Sequence, residues 1–450
     1  MKDEKFYTSP LSGFMTSIAR FLATAGLGDA VKTQMLRGAG VGLLTKALTA
    51  GVGFSCQVLL ARMMGVTEFG LLVYAFTWAN VLAVLPKCGL DVALVRYVAE
   101  YRAKQEWGKL SGIIVFGARI SLLGGFVVAV ISASLIYVLR DQLEYRTLLG
   151  LVLAFAALPL LAANSIRLAA LRGLKRVFLA EFPDGVLRPF LLTAIIAILW
   201  AVTAISAVQV LAVNLGVLAI VFVVGGYWLA RSISGEVRHA VPEYRVHEWI
   251  KVSGPLMGMA GMQMVMSQVD VLMVGAILGT EQAGLYSAGA RLSDLVVLGL
   301  AGVNSIVAPM ISELYHTGRK RELQHMITLA TRIGVLVTVL ASVFLVVLGE
   351  KVLWLFGSQF VVAYQAMLLL VVGQIINASC GPVGLLVTMT GHEREASLVM
   401  GAALALDILL NAVLVPSFGF MGASCATAVS IAFWNVALMI LGRKRLALGA

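Results

Sequence analysis

The sequence predicts an all-helical, polytopic membrane protein of about twelve transmembrane helices. Three observations carry this: composition, the length of the apolar runs, and an internal repeat. Hydrophobic residues make up 60% of the chain against 13% charged ones, and the mean hydropathy is +0.95. That mix lies far from a soluble globular domain. The apolar runs are long and unbroken, many near the roughly 20 residues a helix needs to cross a bilayer. Strands of a membrane barrel would instead alternate apolar and polar positions over about ten residues, so a barrel is excluded.

Taken in order, the runs fall near 40–61, 70–86, 111–139, 148–166, 186–202, 208–230, 252–278, 284–309, 327–349, 363–388, 397–415 and 422–441. The opening "MKDEKFYTSP" is followed by no apolar core and cleavage site of the secretory kind, so the first membrane helix does the targeting. Before it, Leu11, Phe14, Ile18, Phe21 and Leu22 recur at helical spacing with Arg20 and Lys32 elsewhere, the pattern of an interfacial helix; a frayed tail fits equally. The expected organisation is an N-terminal cytoplasmic or interfacial segment (1–39), a six-helix lobe (40–245), and a second such lobe with a short basic tail (246–450). Pro159 and Pro382, each within a span, are expected to kink their helices.

Lysines and arginines gather in alternate connections. One side receives, among others, Arg96, Arg102, Lys104, Lys109, Arg172, Lys175, Arg176, Arg245, Lys251, Arg319, Lys320, Arg321 and Arg443; the other receives Arg62, Arg140, Arg146 and Lys351. Basic loops stay cytoplasmic, so both termini are expected there, as an even number of crossings requires. The net charge of +11 is thereby a topology signal directed at anionic lipid headgroups and needs no nucleic acid. Cys56, Cys88, Cys380 and Cys425 lie in or beside spans without metal-ligand spacing and read as structural thiols. The five histidines fall in connections with no HExxH pattern, and no phosphate-cradling GxxxxGK[ST] loop or nucleophile elbow occurs.

The internal repeat organises the charges. "GVTEFGL" (65–71) and "GTEQAGL" (279–285) share the pattern G-x-x-x-x-G-L, each marking a tight outer turn. Six crossings per copy make the repeats parallel, related by an axis along the membrane normal, with substrate passing between the halves. Laying Leu110 on Leu323 superposes "LSGIIVFGARISLL" on "LQHMITLATRIGVL" and brings Arg119 onto Arg332. Arg119 then lies on the order of 13 Å in from the cytoplasmic loop, where facing lipid is costly. A pair facing the bundle interior would bind diphosphate or carboxylate groups. The competing reading is a helix that starts before residue 110, with the arginine snorkelling to headgroups.

A second cluster comprises Asp270, Arg291 and Asp294, brought to similar depth by the hairpin around Gly279–Gly284. It fits an anion path with Asp270 binding a cation or proton, and equally a buried structural network. Lys46, Arg188 and Asp407 are the remaining charges within spans. The first half shows no carboxylate within its spans.

"LLARMMGVTEFGLLVYAF", "QVDVLMVGAILGTEQAGLYSAGARLSD" and "LDILLNAVLVPSFGFMGASCATAVS" resemble the corresponding stretches of polysaccharide transporters, the oligosaccharide flippases of the multidrug/oligosaccharidyl-lipid/polysaccharide superfamily. The likeness covers about residues 38–442. It implies two pseudo-symmetric six-helix lobes in a V that opens alternately to each side, and a transporter rather than an enzyme. The implied cargo is a polyprenyl-diphosphate-linked oligosaccharide, carried from the cytoplasmic to the outer leaflet of the inner (plasma) membrane. The family's cationic central cavity is a role that Arg119, Arg332 and Arg291 match by charge and symmetry, with Lys46 and Arg188 as further candidates. Asp270 and Asp294 are the candidates for coupling to H+ or Na+; no other cofactor is implied. Membrane lipids and polysaccharide-assembly enzymes are the expected partners. The alternative is an ion-coupled drug or cation antiporter of the same superfamily, which would need carboxylates within its membrane helices.

Overall fold

The computed structural model describes residues 29–446, which form helices joined by short turns with no strand among them; the interfacial helix expected over residues 11–22 lies outside the described residues. Helix α1 (Asp29–Leu82) holds the first two expected spans, joined at Gly65, whose backbone (φ 76, ψ 175) leaves the helix. A single glycine makes the turn, because that conformation carries no Cβ penalty for it. The short α2 (Val84–Lys87) and then α3 (Leu90–Ala103) follow. α3 occupies what reads as a basic connection, since Leu90, Leu94, Tyr97 and Tyr101 recur at helical spacing among its charges and are buried.

The next spans are α4 (Trp107–Val138), then α5 (Tyr145–Ala156) and α6 (Leu158–Gly173). These last two are one crossing interrupted at Ala157, two residues before Pro159, which has no N–H to continue the ladder. Then come α7 (Val177–Phe182), a π turn at Pro183–Leu187, and α8 (Arg188–Trp200), again a single crossing. Helix α9 (Ala207–Ser232) starts with a capping box between Ser206 and Gln209, and α10 (Gly235–His239) is a short connection.

In the second half, α11 (Val246–Met266) and α12 (Val269–Leu278) are bent by 49° at their junction. Helices α13 (Thr280–His316) and α14 (Lys320–Phe356) are 37 residues each, longer than the apolar runs within them. The run expected at 363–388 is broken into α15 (Tyr364–Cys380) and α16 (Val383–Met389), with Gly381 at φ 74 ahead of Pro382. Helices α17 (Glu393–Phe418) and α18 (Phe420–Leu446) close the described chain.

Among the described residues, nine helical stretches are long and apolar enough to cross a membrane, ten with the bent α11–α12 pair. Dividing the first at Gly65 and adding α13 accounts for the twelve expected crossings. Helices satisfy every backbone group internally, which lipid demands.

The chain forms two compact units. One comprises Thr45–Ala288 with Trp354–Val362; the other comprises Gly289–Leu353 and, among the described residues, 29–44 and 363–446. In the first, a core of Leu94, Tyr97, Leu110, Ile113 and Ile166 encloses Trp249, which is fully buried. The Trp249 indole N–H donates to the Tyr101 hydroxyl at 3.0 Å, and its ring lies 5.4 Å from that of Phe116. Burial raises the Tyr101 phenol above its ordinary value, so it stays protonated at neutral pH. Trp249 thus ties the start of the helix after residue 245 into the core of the first unit. In the other unit, Val307, Ile311, Leu314, Leu323 and Ile333 pack together.

The two ends of the first unit differ in charge. At one, Arg102 donates to the Leu174 carbonyl at 2.8 Å and the Glu243 amide to the Gly108 carbonyl at 2.9 Å, drawing the basic connections together. At the other, Glu68 pairs with Arg146 at 3.0 Å and accepts from the Ala207 amide at 2.6 Å, capping α9 where the helix dipole favours an anion.

Candidate functional site

The charged groups of the first unit form a polar seam within its spans. Arg167 on α6, buried, makes an ion pair with Asp184 and donates through Nε to Asn164 Oδ1 at 3.1 Å. Asp184 sits on the π turn, where an extra residue per turn re-aims a side chain inside a continuous crossing. Gly225 of α9 has no side chain because the Arg167 guanidinium occupies the space a β-carbon would fill. Beyond the turn, Arg188 donates through Nε and Nη2 to Asn214 Oδ1 at 3.2 and 3.1 Å and stands 5.9 Å over the Phe76 ring. The seam thus holds two guanidiniums and one carboxylate, which is paired to Arg167, leaving an excess positive charge in a setting that strengthens its attraction for anions.

Asp184 corrects the expectation that the first half lacks a membrane carboxylate. "PDG" reads as a turn and pushes the expected start of the span to residue 186, whereas the π turn keeps Asp184 inside the crossing Val177–Trp200. Arg167, one residue past the expected span 148–166, is likewise within the crossing Tyr145–Gly173. Its partner and its glycine cradle lie 17 and 58 residues away in sequence, so no local pattern marks them.

Asp270 is buried and accepts from the Tyr286 hydroxyl at 3.1 Å. Arg291 and Asp294 are exposed on α13, three residues apart on one face. Asp407 is buried on α17, where Asn411 Nδ2 donates to its backbone carbonyl at 3.0 Å. Lys46 lies in α1, with its side chain outside the described residues.

Arg119 and Arg332 are exposed rather than buried in the packing of their helices. α4 starts at Trp107 rather than near residue 111, and its buried stripe runs through Leu110, Ile113, Gly117 and Ser121. At 100° per residue Arg119 falls on the opposite face, and it is exposed. Arg332 is exposed in the same way on α14.

The repeat itself is visible in the backbone. Gly65 (φ 76, ψ 175) and Gly279 (φ 94, ψ 164), equivalent in sequence, adopt the same non-helical conformation. The equivalent Gly70 and Gly284 touch: a β-carbon on Gly284 would lie 2.7 Å from the Gly70 Cα. The equivalent Thr67 and Glu281 are joined by a 3.0 Å hydrogen bond. Equivalent residues of the two hairpins thus meet each other.

Comparisons with known proteins agree with this architecture. The chain is 24% identical over 167 residues to a probable low-salt glycan biosynthesis flippase, Agl15, of Haloferax volcanii, covering 37% of this chain and 35% of that one. The match therefore spans about a third of that relative's length. Similarity to the succinoglycan biosynthesis transport protein ExoT of Rhizobium meliloti is 26% over 349 residues, 76% of this chain and 67% of that one. Among solved structures, the inward-facing conformation of a multidrug resistance MATE family transporter of the MOP superfamily superposes with a TM-score of 0.75 at 12% identity, over 89% and 94% of the two chains. At that identity the likeness shows the fold alone. A MatE family profile matches residues 255–413. The profile of the family described as polysaccharide biosynthesis protein matches residues 35–315, more than half of the chain, and the protein belongs to that family.

Proposed function

We propose that this protein is a flippase that moves a polyprenyl-diphosphate-linked oligosaccharide from the cytoplasmic to the outer leaflet by alternating access. Family membership carries the reading, and the glycan-flippase and succinoglycan-transport relatives support it. The repeat limits of 40–245 and 246–450 belong to the same proposal. So does the orientation, with the basic end and both termini cytoplasmic, in an inner membrane.

The Arg188 guanidinium, held by a neutral amide, is the group we assign to the anionic diphosphate or to acidic sugars; a neutral partner leaves its charge available. Arg291, exposed on α13, is the second, and Lys46 a third by its place in α1. Asp270 and Asp294 are the proposed carriers of a coupling H+ or Na+. Assembly enzymes are the partners such a step would serve.

The drug or cation antiporter reading draws on the MatE match over 255–413 and on Asp184, a carboxylate inside a membrane crossing. Asp184 is already neutralised by Arg167, which weakens it as a cation site. The deciding measurement is mass spectrometry of lipid extracts from cells with and without the gene, together with surface polysaccharide. Accumulated carrier-linked glycan with loss of surface polymer is the expected result. No change in either, with altered drug susceptibility, would transfer the assignment to the exporter.

A further inference from the structure

Arg119 and Arg332 are matched in more than sequence. Each stands twelve positions into its helix, counted from Trp107 and from Lys320. Their buried stripes correspond position by position: Leu110, Ile113 and Gly117 on α4, and Leu323, Met326 and Ala330 on α14. Their exposed faces correspond too. Above Arg119 come Leu123, Phe126 and Val127; above Arg332, at the same spacing, come Leu336, Val339 and Leu340, all exposed. Leu123 and Leu340 are 65% and 62% exposed. In a membrane protein a stripe of large bare apolar side chains is a surface for acyl chains, whereas a sugar path needs polar lining.

Depth follows from counting. Arg119 is 21 residues before Arg140 and Arg332 is 19 before Lys351, separations of about 28–32 Å along a helix. The hydrocarbon layer is about 30 Å thick. Each arginine and the basic residue beyond it therefore bracket one such layer, which sets the guanidinium at the phosphate level of the leaflet on the basic end. Neither arginine has a hydrogen-bond or ion-pair partner among the described residues. A bare guanidinium fork above an acyl-chain stripe complements a lipid phosphate, which accepts two parallel N–H bonds.

We propose that Arg119 and Arg332 form a repeat-related pair of docking sites, one on the flank of each repeat, for the phosphate of a lipid in that leaflet. The apolar stripe beside each arginine seats the acyl chains. The inference stands on placement alone and does not depend on the transported cargo.

The test is native mass spectrometry of the full chain titrated with dioleoylphosphatidylglycerol, with dioleoylglycerol as the phosphate-free control. Expected are two phosphate-dependent lipids on the wild type, one on Arg119→Gln or Arg332→Gln, and none above background on the double variant. Arg→Lys at either site should weaken retention about fivefold or less, keeping charge but losing the fork. Both side chains are exposed, so the variants should elute as the folded wild type does. Should either glutamine variant fail to fold, the lysine variant reads the same site. Equal retention of dioleoylglycerol, displacement of the lipid by millimolar inorganic phosphate, or two lipids on the double variant would each overturn the proposal. So would lost glycan transport with lipid retention intact, which would return the arginines to the substrate path. The glycan-accumulation assay of the gene deletion reads the flippase assignment separately, so either idea can fail alone.

Discussion

The Arg167–Asp184 pair is where a single substitution should matter most. Removing one partner strands the other charge in the bundle, which costs about 3–5 kcal/mol, while replacing both by apolar residues is often close to neutral. Asp184→Leu is therefore expected to lower the unfolding midpoint in detergent sharply, and Arg167→Leu with Asp184→Leu to recover most of it; a double variant no better than the single one would show that Asp184 acts apart from Arg167. Gly225→Ala should mimic the single defect, because a β-carbon there meets the guanidinium, whereas Gly226→Ala, with open space around it, should leave the midpoint unchanged or slightly raised. The neighbouring Arg188 shows how far sequence reasoning reaches at this scale: its charge within a span is legible, but its partner Asn214, 26 residues on, is not.

Among the elements, the hairpins around Gly65 and Gly279 and the start of α11 carry the most specific consequences. Gly70→Val and Gly284→Val should each drive the two outer turns apart and lose transport, read as carrier-linked glycan accumulating to the level of the deletion strain. Full transport in both variants would mean that the glycine contact is not formed during the cycle. Trp249→Ala empties the centre of the first unit's core and is expected to cost about 3–5 kcal/mol, visible as a lowered thermal midpoint. The glycine pattern is readable in the sequence as a pair of turns. That one glycine suffices for each turn, and that the next glycines touch, follows from chain geometry that a pattern of letters does not contain. α3 carries the charges of a basic connection, while its buried tyrosines find their cover in Trp249 and α6.

For the whole molecule, the sorting of basic residues predicts which end faces the cytoplasm. With Cys56, Cys88, Cys380 and Cys425 replaced by alanine, Glu144→Cys should react with a membrane-impermeant maleimide on intact cells, and Lys104→Cys only after permeabilisation. Both positions are exposed, so the opposite labelling pattern would reverse the proposed orientation and, with it, the direction assigned to transport.

The helical membrane class, the number of crossings, the parallel repeat and the charge asymmetry were all determined by the sequence alone. Each is a sum over many residues, or a local pattern, and survives errors of several positions at helix ends. Only the tertiary structure decided which face each charge occupies. A shift of two residues in a helix turns a side chain by about 200°, enough to carry Arg119 from the expected interior to an exposed stripe. Burial of Asp184 against Arg167 likewise depends on one π turn and on a glycine 58 residues from that arginine, contacts that exist only once the helices have packed.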